Sequence, residues 1–475
     1  MTGGGAGMTK VAGMAEEVDN MSHFKGIIKS VTGQTVVVVI TSSTLPQSGE
    51  IAHVSKSPEI KLEVLARIDT EVTCLILSES NTLLVRGQKV EGTGKPLSVP
   101  VGKQVLGKML NLFGESSEGE DNFDLLAPIY APAPSFSLAV NPTEILETGI
   151  KVIDFAMPIP RGGKVGVVGG AGMGKTVLLT EIILNIINRQ EAYTVFAGIG
   201  ERIREAQELY QRLKALKVLD KSSLVIGQMH ENAANRFRIA QAAATIAEHF
   251  RDKGNDVLFF ADNMFRFVQA GSEVSQILGE IPSEQFYQAS LQNQVAEIED
   301  RLVSTEDAAI TSIQTVYVPA DDFSDPAVSA IMTFLDTVII LSRGNAQLDL
   351  HPPVDLLQSS SSFLKRQILG ERHFEVYTRF NGLLSSYVRL SHIAAIVGEE
   401  ELGAADRLTF KRTRKVINYL TQPFFATESQ TGRKGTHVKR EDAVTDIEAI
   451  LAGKLDNVPD EKLKYIGTLK EAKLI

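Results

Sequence analysis

A glycine-rich segment at residues 169–176 has the residue types and spacing best suited to chemistry. It reads GGAGMGKT, fits the pattern G-x-x-x-x-G-K-[ST], and lies between an apolar run and an amphipathic segment. Glycines let the backbone come close to phosphate oxygens and turn its N–H groups toward them. Lys175 would place a positive charge near the β- and γ-phosphates, and Thr176 would offer a hydroxyl to Mg²⁺. The motif predicts nucleotide binding.

Two carboxylates follow other apolar runs and could act on the same phosphates. Asp262 ends the run in DVLFFADN, and Glu201 and Arg202 come directly after TVFAGIG. Ligands of parallel sheets bind at the carboxyl ends of strands, so these side chains are expected to converge. Asp262 would hold a water of the Mg²⁺ shell, and Glu201 would orient the attacking water and accept its proton. From these residues alone, a surface cluster of Glu/Arg ion pairs remains an equal alternative.

Composition limits the classes of function. The chain has 475 residues and predicts two or three domains. Its net charge of −10 argues against a generic nucleic-acid binder, and a single cysteine, Cys74, excludes an internal disulfide and fits a reducing compartment. No run approaches the roughly 20 apolar residues that cross a bilayer, so any membrane role is expected to come through a partner.

Changes of pattern along the chain predict an α/β protein in four parts. Residues 1–21 are expected to be a disordered leader, because they lack the features of targeting signals. Residues 22–101 predict an N-terminal β-barrel, built from the runs GIIKSVTG, QTVVVVI, EIAHVS, EVTCLILS and TLLVRGQKV. Residues 102–360 predict a P-loop domain with a mostly parallel sheet, whose strands are KVGVVGG, TVFAGIG, DVLFFADN, ITSIQTVYVP and TVIILS.

Residues 361–475 predict a C-terminal helical domain. The last predicted helix is DEKLKYIGTLKEAKL. A basic cluster within this domain is interpreted as a solvated helix face without a function; it comprises Lys411, Arg412, Arg414 and Lys415.

Long segments of the chain closely resemble the β subunits of F-type ATP synthases. They are GGAGMGKT, GIGERIRE, VLFFADNMFRFVQAGSEVSQILGEIPS, ITSIQTVYVPADDFSDP and LSRGNAQLDLHPPVD, in this order. The resemblance extends from the barrel to QPFFATESQTG. It implies an N-terminal β-barrel, a central RecA-like P-loop domain and a C-terminal helical bundle, in agreement with the patterns above.

The resemblance also implies a role for individual residues, with ATP or ADP and Mg²⁺ as ligands. The implied catalytic residues are Glu201, Lys175, Arg202 and Arg266. The implied nucleotide-binding residues are Gly170, Ala171, Gly172, Met173, Gly174, Lys175, Thr176, Val177, Tyr317, His351 and Phe424. The implied Mg²⁺ residues are Thr176, Glu205 and Asp262, the last two through water.

Partners and location follow from the same resemblance. Family members alternate with three α subunits in a ring around a γ shaft, and the α subunit supplies an arginine in trans. The implied activity is that of a H⁺-transporting ATP synthase or ATPase, coupled to a membrane ion-translocating sector through other subunits. A peripheral location is implied, at the cytoplasmic face of a bacterial or organellar energy-transducing membrane. The chain alone is expected to be a poor ATPase.

The sequence departs from the family pattern at positions that contact the adenine base of the nucleotide in that family. His351 stands where the family has a Tyr that stacks on adenine, and Gln430 stands where a second aromatic is usual, while Phe424 remains. Weaker or altered base binding is expected. An Arg of the family is missing after the serines that end at Ser362, and the acidic loop is thinned at residues 400–406. The chain is therefore interpreted as a divergent β subunit.

Two alternatives remain. A homohexameric protein-export ATPase also carries a GER segment, but usually has a different sequence at DNMFRF and lacks YVPADDFSDP. A non-catalytic nucleotide-binding ring subunit would carry Gln in place of the carboxylate, so Glu201 argues against it.

Overall fold

The computed structural model describes residues 23–78, 83–116, 119, 123–187, 192–283 and 285–475. The disordered leader predicted for residues 1–21 lies outside these described residues. A β-barrel, an α/β domain and a helical region follow one another along the described chain. This order confirms the predicted fold class.

The barrel is closed and antiparallel, with the strand order β1-β2-β5-β4-β3-β6. Its strands are β1 (Lys25–Thr32), β2 (Thr35–Ile40), β3 (Glu50–Val54), β4 (Ser57–Ile68), β5 (Glu71–Ile76) and β6 (Lys89–Pro96). Alternate residues face inward, so that Val36, Val38 and Cys74 are fully buried. The prediction missed β4, although apolar and charged residues alternate clearly within it, and the described part of TLLVRGQKV becomes a strand only at Lys89.

The remaining strands belong mainly to one eight-stranded sheet. They are β7 (Ser98–Pro100), β8 (Met109–Leu110), β9 (Leu126–Pro128), β10 (Ile145–Leu146), β11 (Ile159–Pro160), β12 (Lys164–Gly169), β13 (Tyr193–Glu201), β14 (Ser222–Gln228), β15 (Val257–Asp262), β16 (Ile310–Tyr317), β17 (Thr337–Ile340) and β18 (Ser360–Ser361). The sheet order is β18-β17-β12-β16-β15-β13-β14-β8, and only β17 and β18 pair antiparallel. All five predicted central runs are strands, and β14 was missed.

Helices cover both faces of this sheet. They are α1 (Lys151–Ala156), α2 (Lys175–Ile187), α3 (Ile203–Ala215), α4 (Ala233–Arg251), α5 (Met264–Ile277), α6 (Leu291–Arg301), α7 (Pro326–Met332) and α8 (Arg343–Gln347). One apolar core contains α2 and α3, and the other contains α4 to α7. Because neighbouring central strands are parallel, β12, β13, β15 and β16 end at the same edge, where the loops that follow them can meet.

The carboxyl-terminal region is helical up to residue 451. Its helices are α9 (Arg366–Leu369), α10 (Glu371–Val397), α11 (Ala404–Tyr419), α12 (Glu428–Thr431) and α13 (Arg440–Leu451). No helix among the described residues combines the length and apolarity needed to cross a membrane.

The helix predicted for DEKLKYIGTLKEAKL is wrong. Only a 3-10 turn at Asp460–Leu463 forms, and Tyr465 has a positive φ of 54°. The buried ammonium of Lys151 donates to the carbonyls of Ile466 and Gly467, at 2.8 and 3.3 Å. These tertiary hydrogen bonds take the place of helical ones.

The basic cluster of α11 is not the solvated face that the sequence suggested. The Lys415 side chain is 4% exposed and lies 2.9 Å from Asp460. Arg412 and Arg414 pair with acidic groups of other segments, Arg412 with Asp456 at 2.5 Å. The cluster binds the segment that contains Asp456 and Asp460 to α11. The buried ammonium of Lys415 requires such a partner.

Candidate functional site

The GGAGMGKT loop joins β12 to α2 and presents an open backbone surface. Gly172 and Gly174 have φ angles of +75° and +82°, a region that side chains other than glycine rarely adopt. A Cβ built on either residue would meet no atom within 4 Å. This concave loop at a helix N-terminus suits a phosphate group.

Lys175 lies within the same loop. Its Nζ donates to the carbonyl oxygens of Gly169 and Gly170, at 2.7 and 2.6 Å. The Tyr317 ring centroid lies 5.8 Å away, so the structure brings this tyrosine to the phosphate loop. Burial lowers the pKa of Lys175, while the charges of Asp262 and Asp321 oppose that shift. The ammonium is therefore held where it can exchange loop carbonyls for phosphate oxygens.

Asp262, the last residue of β15, lies between two hydroxyls. Thr176 Oγ1 donates to its Oδ2 at 3.3 Å, and Thr315 Oγ1 donates to its Oδ1 at 2.6 Å. Burial raises the pKa of Asp262, and the hydrogen bond from Thr315 and the charge of Lys175 oppose this. Glu205 lines the same cavity of about 200 Å³ as Thr176 and Asp262. Such hard oxygen ligands fit Mg²⁺.

Glu201 ends β13 and lines this small cavity as well. It is 8% exposed; its Oε1 accepts from the backbone N–H of Arg202 at 3.2 Å, and its Oε2 lies 3.9 Å from Arg266 Nη1. Burial raises its pKa to about 8, helped by Glu205 and the charge of Asp262 and opposed by Arg266. A carboxyl group that titrates near neutral pH can exchange a proton with a reacting water.

The two predicted arginines lie differently. Arg266 lies in the first turn of α5, donates from Nη1 to the carbonyl of Gly200, and faces Glu201. Arg202 has a 66% exposed side chain and pairs with Glu205 at 3.2 Å. The structure therefore brings Arg266, but not the Arg202 guanidinium, to the Glu201 carboxylate.

A second cavity, of about 400 Å³, begins at the phosphate loop. Its lining includes the predicted residues Gly172, Met173, Gly174, Val177, His351 and Phe424. Gly170 and Ala171 belong to the loop but not to this lining, and Gln430 is exposed outside it. The described residues thus place one part of the predicted set at the glycine-rich loop and the 200 Å³ cavity, and another part around a second cavity large enough for a base.

Sequence reasoning missed several residues of this second cavity. Asp349, Arg433 and Tyr465 line it, and no local pattern marked them. Glu181 of α2 was missed as well; its Oε2 accepts from the Ala426 backbone N–H at 2.9 Å and so ties the phosphate-loop helix to the segment that carries Phe424. Burial raises the pKa of Glu181 to about 7.

The parallel sheet, the loop at its edge and the adjoining cavity define a nucleotide-binding α/β protein. Residues 149–361 match the family model of the ATP synthase alpha/beta family, nucleotide-binding domain. Residues 364–463 match that of the C-terminal domain of V and A type ATP synthase. Residues 149–361 thus resemble the nucleotide-binding domain of this family, which supports ATP or ADP as the ligand. The pair of domains supports a rotary ATPase subunit.

Proposed function

We propose that this chain is the catalytic subunit of a rotary ATPase, making or hydrolysing ATP at the edge of the sheet. The observation that carries the proposal is the buried Glu201 carboxyl beside Thr176 and Asp262. Non-catalytic chains of the ring that the sequence resembles carry Gln at this position. A carboxyl group here serves no packing purpose that an amide would not serve, and its proton chemistry supports a catalytic role.

The chemistry assigned to these residues is phosphoryl transfer. Lys175 and the loop N–H groups bind the phosphates, and water attacks the γ-phosphorus as the bond to the β,γ-bridging oxygen breaks. Glu201 accepts the proton that the water loses and returns it in the direction of synthesis. Arg266 offsets charge on the transferred group. Mg²⁺, when bound, would be held by Thr176 and, through water, by Asp262 and Glu205, and would neutralise phosphate charge.

We further assign the chain to the F type, as a divergent β subunit. This assignment rests on the resemblance of the segments around DNMFRF and YVPADDFSDP to F-type β subunits. The C-terminal domain does not add to it, because the family model that it matches is named for V and A types. The expected assembly is a three-plus-three ring with α-like subunits, which supply an arginine in trans, around a γ-like stalk. Ion transport, with protons as the expected ion, then occurs in a membrane sector of other subunits, and the chain is peripheral at the cytoplasmic face.

The first prediction concerns Glu201→Gln. The amide keeps the shape of the side chain but cannot accept the proton, so turnover of the ring reconstituted with α- and γ-like partners should fall at least about 100-fold. ATP affinity of the isolated chain, measured by calorimetry, should stay within about threefold, because the phosphate ligands remain. Glu208→Gln is the matched control, since Glu208 lines the same cavity but pairs with Arg204 at the surface.

Turnover at the wild-type rate in the assembled Glu201→Gln ring would contradict the assignment of Glu201 as the catalytic carboxylate. Two further outcomes of the wild-type assay separate the alternatives. Strong hydrolysis by the chain alone as a homohexamer would favour an export ATPase. Absence of hydrolysis with and without partners, with ATP still bound, would indicate a non-catalytic ring subunit.

A further inference from the structure

The wall of the 400 Å³ cavity is completed by a residue from the far end of the chain. Tyr465 follows the 3-10 turn at Asp460–Leu463 and lines the cavity together with His351 and Phe424. Gln430, which occupies the sequence position of an expected aromatic, is exposed and does not line it. An aromatic residue from a different segment therefore lines the cavity that Gln430 does not reach.

Several contacts fix the position of the Tyr465 ring. The phenol hydroxyl donates to Asp349, whose carbonyl oxygen and Oδ1 lie 2.8 and 2.9 Å away. The backbone N–H donates to Thr421 Oγ1 at 2.9 Å. Tyr465 has a φ of +54°, an unfavourable conformation that persists only where surrounding contacts determine it. Lys151 holds the next two carbonyls, as described above.

Arg433 adds a planar cation to the same wall. Its guanidinium lies 4.1 Å from the Tyr465 ring centroid, which is a cation–π contact. Planar aromatic and guanidinium groups are the groups on which nucleobases stack. The Tyr465–Arg433 pair, Phe424 and His351 line the same cavity as Gly172, Met173 and Gly174 of the phosphate loop, so the base of a loop-bound nucleotide could enter it.

We propose that Tyr465 is a specificity-determining residue, which supplies the aromatic surface for the purine base of the bound nucleotide. The proposal rests on the nucleotide site proposed above and adds a residue to it. Arg433 and Asp349 are positioning residues, because they act on the ring. The base subsite is consequently built from two remote parts of the chain, and its affinity depends on the docking of the last segment.

The test compares ATP with inorganic tripolyphosphate, which has no base, as ligands of the full chain in the presence of Mg²⁺. Tyr465→Leu removes the ring, so ATP affinity should fall about tenfold or more, the size of a lost base–aromatic stack. Tripolyphosphate affinity should not change. Tyr465→Phe keeps the ring and loses one hydrogen bond, so its ATP affinity should remain within about fivefold of wild type. Calorimetry measures both ligands, and the thermal midpoint of each variant checks folding.

Each other outcome overturns a defined part of the proposal. Unchanged ATP affinity in Tyr465→Leu would show that the ring does not contact the base. An equal loss for ATP and tripolyphosphate would show a structural role only. Wild-type chain that binds tripolyphosphate and ATP equally well would overturn the base subsite alone, whereas wild-type chain that binds neither would overturn the nucleotide site itself.

Discussion

Asp262 illustrates how single residues at the site are oriented by their neighbours. Its two oxygens accept hydrogen bonds from the hydroxyls of Thr176 and Thr315. These bonds fix the orientation of the buried carboxylate. From the sequence alone, it stayed open whether the Glu and Arg residues of the segment after β13 form only surface ion pairs. This holds for Arg202 and Glu205, which form an exposed pair of the kind that contributes little to stability. It does not hold for the buried Glu201.

Asp262→Asn is expected to weaken Mg²⁺-dependent binding selectively. The amide keeps the shape but removes the charge that would hold the metal's water shell, so ATP affinity in Mg²⁺ should fall about tenfold. Affinity measured in EDTA should change little. Thr315→Val is the matched control, since it removes a partner of the carboxylate and keeps the charge; its effect should be smaller. Equal losses with and without Mg²⁺ would contradict the assigned role.

At the scale of elements, a buried carboxyl group joins α6 to β16. Glu299 is fully buried, and its Oε2 accepts from Gln314 Nε2 at 3.0 Å. Burial raises its pKa from an ordinary 4.5 to about 7, which the charge of Lys164 opposes. The folded chain therefore keeps this proton to a higher pH than the unfolded chain does.

This shift predicts a pH-dependent difference between wild type and Glu299→Gln. The contribution of Glu299 to stability is present below pH 4.5 and is lost as pH rises through about 7. Relative to wild type, the variant should gain up to about 3 kcal/mol between pH 5 and pH 8. Thermal midpoints across this range measure the trend. Glu297→Gln, on an exposed position of the same helix, should show no such trend, and a parallel pH profile of Glu299→Gln and wild type would refute the argument.

At the scale of the whole molecule, one buried ion pair joins the barrel to the α/β domain. Glu63 of β4 is 1% exposed and Arg238 of α4 is 11% exposed, with Nη2 and Oε2 3.2 Å apart. Tyr130 also donates to Glu63. Burial raises the pKa of Glu63, and Arg238 opposes this shift. The barrel thus docks onto the α/β domain through the carboxyl group of Glu63, which is almost fully buried.

Arg238→Ala is expected to destabilise the chain by about 3–5 kcal/mol, because it leaves the Glu63 charge buried without its partner. The double variant Arg238→Met/Glu63→Gln removes both charges and should recover most of this loss. Chemical denaturation measures the difference, with Lys29→Ala as control, since its pair with Glu71 is exposed and should contribute at most about 1 kcal/mol. A double variant no more stable than Arg238→Ala would argue against the pair as the cause.

Pattern reasoning predicted five central strands of the eight-stranded sheet. The runs that form β12, β13, β15, β16 and β17 are buried along nearly their whole length, as is typical of strands in a parallel sheet that is covered on both faces. The final segment is different, because DEKLKYIGTLKEAKL has helical spacing and yet folds around the Lys151 ammonium. Local propensity is a weak preference, and a buried charge that needs partners outweighs it.

The sequence by itself determined the phosphate loop, the strand-end positions of Glu201 and Asp262, and the three-part architecture. These features depend on residues close together in the chain, where spacing translates directly into geometry. Only the tertiary structure decided that Arg266 rather than Arg202 faces Glu201, and that Tyr465 lines the cavity beside His351. These contacts join segments that are far apart in sequence, and they form because buried charges and hydroxyls must find hydrogen-bonding partners wherever the fold provides them.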